Sequence, residues 1–552
     1  MMAAEAVPAV RAPAPLAGLV LGARGVSPAV EVAARLLTAL GCAPDDDTDS
    51  VAAQEIGAGA GSLVVHRAAG GRRLLDCAIG WAGPVHEELR DELAVQAACG
   101  IMHVHGRRFG APTPLCVDYA GVTAGVLATQ AVLAGLLAGM RGICVERVDT
   151  SVAQAALLSV AQYLASATAA DDTADADDTE EPCQQGGPPF GSADGVSFEI
   201  ETLDPQCWQR FWELLGAESF AVVAGWRPFQ HRFATATCPL PAPLAQATGR
   251  ADFAAVHTAA RDAGVSVMRV RNGPWRRPCG VRIVPVGGRR AGMAPPRGHL
   301  PLDGLVVVEA TNRVQGPLAG HVLGLLGARV LRIEPPGGDP ARGMPPMAGD
   351  CSARFLALNR GKEVVRVDLK SPAGRRQVCE LVGGADVFLH NWAPGRAAEL
   401  ALDAGHLAAV RPGLVYAAAS GWGDEFGALP PLGTDFLVQA YSGLAGLVRP
   451  ADEPAAPSLM TLTDVLGGLV CAQGVLAALV AMLRTGHGQR VDSSLLVAAD
   501  VLCQRAPSVR PPRTSVVSAP CTDLVALAAD ARFVDAIELD CCAFPRAPWE
   551  FR

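Results

Sequence analysis

Two stretches of the chain are long, apolar and free of charge: Tyr119 to Met140 (YAGVTAGVLATQAVLAGLLAGM) and Val465 to Leu483 (VLGGLVCAQGVLAALVAML). Apolar on every face, they predict helices buried all round rather than amphipathic surface helices. Each is also long enough to cross a bilayer. Gln130 and Gln473 interrupt them, however, and neither has an aromatic belt, so interior helices of a large α/β domain are expected, and no membrane. Asp464 stands just before the second stretch and Arg484 closes it. A Gly-rich turn (Thr485 to Gln489) and Val491-Asp492 follow. A carboxylate at a helix N-terminus sits among free N–H groups and the positive end of the dipole, as a simple cap or as a reactive group.

Elsewhere the pattern alternates. Leu16 to Gly41 (LAGLVLGARGVSPAVEVAARLLTALG) reads as strand, turn and helix, the opening unit of a doubly wound sheet. Asp194 to about Val284 reads as a smaller α+β unit. It holds a strand in DGVSFEIETLD, a helix with Trp208, Phe211, Trp212 and Leu215 on one side, and a second helix from Phe253 to Ala263 ended by Gly264. Between these regions, ADDTADADDTEE (Ala170 to Glu181) has no apolar periodicity and reads as a solvated, flexible linker. Arg505 to Pro512 is basic and Pro-rich, a loop.

The pattern also repeats. Leu16-Ala17-Gly18-Leu19-Val20 matches Leu302-Asp303-Gly304-Leu305-Val306, and Leu40-Gly41 matches Leu326-Gly327, at an offset of 286. From Val95-Gln96-Ala97 and Val438-Gln439-Ala440 onward the offset is 343. It pairs Gly125 with Gly468, Gln130 with Gln473, Arg141 with Arg484, and Val148-Asp149 with Val491-Asp492. The chain is therefore internally duplicated, and the first copy is shorter by the difference, 57 residues. At 343 residues before Asp464 stands Gly121, with Asp118 three residues earlier, so the first copy is expected to be catalytically dead.

Composition narrows the class. The 552 residues are 50% hydrophobic with a formal net charge of -9, which argues for a folded protein and against a nucleic-acid partner. The 16 cysteines show no CxxC pair or zinc-finger spacing, so no metal is expected. The first residues lack the basic and apolar regions of a secretory signal, which points to reduced thiols and a cytoplasmic setting. No Walker A or GxGxxG loop is present.

An ordered set of motifs then carries a resemblance. LDGLVVVEATNRVQGPLAG (302–320), LGARVLRIEPPGGDPARG (326–343), LNRGKEVVRVDLKSPAGR (358–375), ADVFLHNWAPG (385–395), RPGLVYAAASGWG (411–423), GTDFLVQAYSGL (433–444) and RTGHGQRVD (484–492) follow one another. In this order they resemble the family III CoA-transferases, which include formyl-CoA transferase, carnitine CoA-transferase and alpha-methylacyl-CoA racemase.

The resemblance implies an α/β fold with a doubly wound, Rossmann-like large domain, here in two copies, plus a smaller α+β domain. It implies transfer of CoA from an acyl-CoA to a carboxylic acid, with acyl-CoA as substrate and no permanently bound cofactor. Asp464 falls on the family's nucleophile, which forms an aspartyl anhydride and then an aspartyl-CoA thioester. Gln315 matches a glutamine near the active site. Backbone N–H groups around Gly421 to Gly423, or at Gly467, are the expected oxyanion donors. Val314, Arg342, Asn359, Arg360, Lys362 and Arg396 fall on CoA-contacting positions, although Glu399 stands where the family often has a basic residue. Thr434 replaces the histidine of the racemase branch, which favours transfer over racemisation. Isomerase or lyase chemistry on the same fold, and non-catalytic acyl-CoA binding, are the alternatives.

The expected organisation is a degenerate large-domain copy at 1–165, the acidic linker at 166–193 and the small domain at 194–295. An intact large-domain copy follows at 296–510, and 511–552 is unassigned. The two copies are expected to form an intrachain pseudo-dimer, or the chain a homodimer.

Overall fold

The computed structural model describes residues 14–45, 59–169, 187–504 (except 274, 276–279, 291 and 294) and 520–552. The acidic run at 170–181 and the basic, Pro-rich stretch at 505–512 lie outside the described residues.

The first sheet is built from β1 (Leu19–Arg24), β2 (Ala43–Pro44), β3 (Gly59–Arg67), β4 (Arg73–Gly80) and β5 (Arg147–Ser151), in the order β2-β1-β3-β4-β5. Helix α1 (Pro28–Ala39) starts because the Ser27 side chain accepts from the Val30 amide and Pro28 occupies the first turn. A short helix α2 (Glu92–Ala98), the long α3 (Tyr119–Met140) and α4 (Ala161–Thr168) follow. The smaller unit is a three-stranded antiparallel sheet of β6 (Phe190–Gly191), β7 (Ser197–Glu201) and β8 (Ser266–Arg269), with helices at 205–214, 219–235 and 253–263. Trp208, Phe211 and Trp212 are buried at its core, as their helical spacing predicts.

The second sheet contains β9 (Arg282–Arg289), β10 (Val306–Ala310), β11 (Arg329–Glu334), β12 (Glu363–Arg366), β13 (Val387–His390), β14 (Val415–Ser420) and β15 (His487–Ser494). Its order is β12-β11-β10-β13-β14-β15-β9, and every pair is parallel except the edge strand β9. Numbered from β10, the parallel strands run 3-2-1-4-5-6, the doubly wound arrangement. The central strands β10 and β13 are mostly apolar and buried on both faces, with Glu309 and His390 as their polar members. Around this sheet lie α5 (Gln315–Leu325), α6 (Ala353–Asn359), α7 (Asp435–Ser442) and α8 (Leu462–Thr485). The chain ends in β16 (Glu550–Phe551), which pairs antiparallel with β5.

Strand by strand, the two sheets correspond. β1, β2, β4 and β5 take the places of β10, β11, β14 and β15, and β16 sits on β5 as β9 sits on β15. Where β13 runs parallel, β3 runs antiparallel to both neighbours. The segment 282–289, grouped with the small domain on sequence, is thus an edge strand of the second sheet. The final residues, which sequence left without a place, complete the first.

The long helices α3 and α8 pack on each other, with 94% and 100% of their most apolar windows buried inside the fold. Their contacts are reciprocal. Arg141 at the end of α3 donates to the carbonyls of Pro301 and Asp303, both at 2.6 Å. Arg484 near the end of α8 donates to those of Pro15 and Ala17, at 2.7 and 2.6 Å. The acceptors are the same two positions of the duplicated unit, so each helix reaches across to the other copy. A Cβ on Gly125 would lie 2.8 Å from the Ala29 carbonyl, and one on Gly468 would lie 2.7 Å from that of Gln315. Only glycine lets α3 and α8 approach α1 and α5 so closely.

Candidate active site

Asp464 is the third residue of α8. Its amide donates to Asp435 Oδ2 at 2.7 Å, and Asp435, the first residue of α7, is buried. Gln439 secures the loop before α8: its Nε2 donates to Asp435 and to the Ser458 carbonyl, and its Oε1 accepts from the Ser458 amide. The first copy repeats this device with Glu92 and Gln96. Glu92 accepts from the amides of Ala120 and Gly121, both at 2.8 Å, and Gln96 holds Leu115. The capping acid is thus present in both copies, and the second acid, Asp464, in one. At Gly121 a Cβ would lie 3.0 Å from Pro28 Cβ and 3.2 Å from Glu92 Oε2, leaving little room for a side chain.

The first copy also braces the loop that leads to Asp464. Tyr119 Oη donates to the Leu462 carbonyl at 3.1 Å, Arg108 to that of Pro457 at 3.1 Å, and His105 Nδ1 lies 2.8 Å from Ser458 Oγ. Tyr163 Oη accepts from the Thr461 amide at 3.4 Å while donating to Phe233 of the small unit. From its other side the small unit meets the second copy, where Leu432 donates to Ser266 Oγ and Arg271 to the Ala440 carbonyl.

The Asp464 carboxyl is half-buried. Burial raises its pKa, the Asp435 carboxylate raises it further, Arg313 opposes the shift, and Glu201 adds to it. Asp435 is also raised by burial, but its hydrogen bonds from Gln439 and the first amides of α8 offset part of this. A carboxylate made more basic in this way is the stronger nucleophile once ionised.

Arg313 escaped the sequence reading, although it adjoins Val314 and Gln315 in RVQGP. It is exposed, its φ of 63° lies in the left-handed region, and no hydrogen bond or ion pair reaches it among the described residues. Such a backbone conformation is costly for a non-glycine residue and marks a constrained loop. That loop joins β10 to α5 beside β13, where the strand order reverses and where open α/β sheets bind ligands. Asn312 and Asn391 tie the two loops together through hydrogen bonds of 3.0 and 2.8 Å.

The other expected site residues are placed as follows. Gln315 is buried, its Nε2 donating to the Ser420 carbonyl at 3.3 Å and lying 3.2 Å from where a Cβ on Gly467 would be. Val314 is buried at the start of α5. Of the expected oxyanion donors, the Gly423 amide is committed to Ser420 Oγ at 3.0 Å. Gly467, sixth in α8, donates within the helix. Thr434 leaves a buried Oγ1 without a hydrogen-bond partner among the described residues, beside Asp435.

The cations in the LNRGK and PGGDPARG motifs are held by neighbouring groups of the fold. Lys362 is buried, and Nζ meets Glu309 Oε2 at 2.8 Å, the Pro317 carbonyl at 2.7 Å and Asn359 Oδ1 at 3.0 Å. Burial lowers its pKa to about 8. Asn359 is buried with it and also bonds the Phe355 carbonyl. Arg342 is engaged by Glu334 at 2.7 Å. Arg360 turns to the C-terminal segment, reaching Glu538 at 3.2 Å and the Pro545 carbonyl at 3.0 Å. Arg396 is exposed and pairs with Glu399 at 2.8 Å. Lys362 and Arg342 therefore belong to an ion cluster with Glu309, Arg332, Glu334 and Asp339, which holds β10 and β11 together.

Comparison with known proteins extends this picture. The chain is 37% identical over 215 residues to an acetyl-CoA:oxalate CoA-transferase of Acetobacter aceti, covering 39% of this chain and 55% of that protein. It is 35% identical over 206 residues to a succinyl-CoA:glutarate CoA-transferase of Mus musculus, covering 37% and 47%. A crystal structure of a CAIB/BAIF family protein from Brucella suis is 33% identical, with a TM-score of 0.34 over 36% of this chain and 55% of that one. The chain thus spans about half the length of the curated relatives it matches. The description "CoA-transferase family III" matches residues 78–273 and again 302–511, most of the chain, including all the parallel strands of the second sheet and β5 of the first. This protein belongs to CoA-transferase family III.

Proposed function

We propose that the protein transfers CoA from an acyl-CoA to a free carboxylic acid, with Asp464 as the nucleophile. The observation that carries this reading is the placement of the Asp464 carboxyl. It is half-buried at the start of a helix and near Arg313, which has no partner among the described residues, with its backbone held by Asp435. Relatives named for oxalate and glutarate transfer support the reaction class.

In the first step an Asp464 oxygen attacks the thioester carbonyl, giving a mixed anhydride and releasing CoA as its thiolate. The thiolate then attacks the aspartyl carbonyl, forming an aspartyl-CoA thioester and releasing the donor acid as carboxylate. The acceptor carboxylate reverses both steps, so that an acyl-CoA product leaves and Asp464 is restored. One difficult exchange becomes several easier ones. Arg313 is suited to hold negative charge near the reacting carboxyl. Lys362 acts behind the site by fixing Glu309 and the end of β10. The reciprocal arginine contacts and the paired capping acids support an intrachain pseudo-dimer, in which the first copy braces the site instead of bearing one.

The test is to incubate the protein with an acyl-CoA, quench with hydroxylamine or borohydride, and map the modified peptide by mass spectrometry. Modification at Asp464, absent in Asp464→Ala together with turnover, is expected. Undiminished turnover in that variant would rule out the assignment.

A further inference from the structure

Arg354 stands in the first turn of α6, where the second copy packs against α4 of the first. Its side chain is half-buried, its Nε is shut off from solvent without a hydrogen-bond partner, and no ion pair or hydrogen bond reaches it among the described residues. Burial lowers its pKa to about 10, Tyr163 opposes that shift, and Arg107 adds to it. The Tyr163 ring has Arg354 Cζ at 5.6 Å and Arg107 Cζ at 5.7 Å from its centre. His231, on the 219–235 helix of the small unit, is acted on by Arg354 and by Arg227. Cationic or protonatable side chains from three parts of the chain therefore converge, and no carboxylate is among the groups that act on Arg354 or His231. Elsewhere in the fold, buried guanidinium groups meet carboxylates: Arg332 meets Glu309 and Asp339, and Arg232 meets Glu201. A half-buried guanidinium with no anion is less favourable than a paired one, and an incoming carboxylate matches its planar fork.

The position of this cluster indicates which end of the substrate it faces. The Tyr163 hydroxyl accepts from the Thr461 amide, and Thr461 caps α8 three residues before Asp464, about one helical turn away. The phosphates of CoA lie at the opposite end of the pantetheine arm from the thioester, whereas the acyl group lies beside it. Resting on the transfer reading of Asp464, we propose that Arg354, flanked by Tyr163, Arg107 and His231, binds the distal carboxylate of a dicarboxylic substrate and so selects diacids over monoacids.

Calorimetric titration of the full chain with glutarate, succinate and butyrate, in the wild type, Arg354→Lys and Arg354→Leu, tests this directly. The ratio of diacid to monoacid affinity should fall about tenfold or more in Arg354→Leu and less in Arg354→Lys, which keeps the charge but loses the fork. An unchanged ratio in Arg354→Leu, or no diacid binding by the wild type, overturns the subsite. Loss of affinity for CoA relative to 3′-dephospho-CoA, with the diacid ratio intact, assigns the cluster to a CoA phosphate and also overturns it. Diacid binding that depends on Arg354, in a wild type that gives no adduct at Asp464, supports the subsite and refutes the transfer reading instead.

Discussion

Gly320, on α5, faces Glu309, and a Cβ added there would lie 1.7 Å from Glu309 Oε2. An ordinary carbon–oxygen contact needs about 3.3 Å. The carboxylate has nowhere to retreat. It is fully buried, accepts from Arg332 Nη1 at 2.6 Å and Thr311 Oγ1 at 2.7 Å, and meets Lys362 Nζ at 2.8 Å. Gly320→Ala must therefore either dislodge Glu309 from its partners or push α5 off the sheet. The first costs about 3–5 kcal/mol, as when one partner of a buried pair is lost. The second is overpacking, at about 1–3 kcal/mol, and disturbs the Asn312–Arg313 loop that opens α5. A loss of about 3 kcal/mol is expected, read by differential scanning calorimetry as a fall in Tm of roughly 10 °C, at about 2–4 °C per kcal/mol for a domain of this size. The first copy supplies an internal control: at the 286 offset, Glu309 and Gly320 become Ala23 and Ala34, both packed against the core. Acid and glycine are absent together. In a Glu309→Ala background, itself destabilised by the loss of an anion beside Arg332 and Lys362, adding Gly320→Ala should then cost almost nothing. Additive costs in that double-mutant cycle, or a single-variant loss under about 1 kcal/mol, would refute the steric argument.

Three further outcomes are expected. Burial raises the pKa of both Asp435 and Asp464, so the folded chain holds protons that the unfolded chain releases near pH 4. Stability is fullest below that pH and falls as pH rises through the raised values, so Asp464→Asn should have a higher Tm than wild type at pH 8 and a smaller difference at pH 4. Tyr119→Phe leaves the buried Leu462 carbonyl without its 3.1 Å partner. It should cost about 1–2 kcal/mol in chemical denaturation and lower kcat more than it changes KM, because the first turn of α8 is loosened. Arg141→Met and Arg484→Met each remove two charge-assisted bonds between the copies; the half-buried Arg141 should cost about 2 kcal/mol and the exposed Arg484 less, and equal effects in thermal unfolding would contradict that ranking.

What was legible in the sequence was what local pattern and self-similarity carry. The uncharged runs mark α3 and α8 because a helix apolar on every face has only the interior to occupy. The repeated Gln96 and Gln439, and Arg141 and Arg484, identify equivalent positions before any coordinates. In the structure these residues make equivalent bonds. Asp464 could be placed at a helix start because caps and dipoles act within one turn. Strand direction leaves no such mark, since a β-strand has the same two-residue period either way round, so the reversal of β3 is decided by its pairing with β1 and β4. The burial of Lys362 in an ion pair left no local mark, because its partner, Glu309, lies 53 residues away. The C-terminal segment offered only short patches, and it is held by distant contacts such as Trp549 Nε1 to the Leu127 carbonyl at 2.9 Å. Arg354 is the extreme case. Nothing beside it in sequence distinguishes it from a solvated arginine, and its lack of a counter-ion among the described residues arises only where three distant parts of the chain pack together.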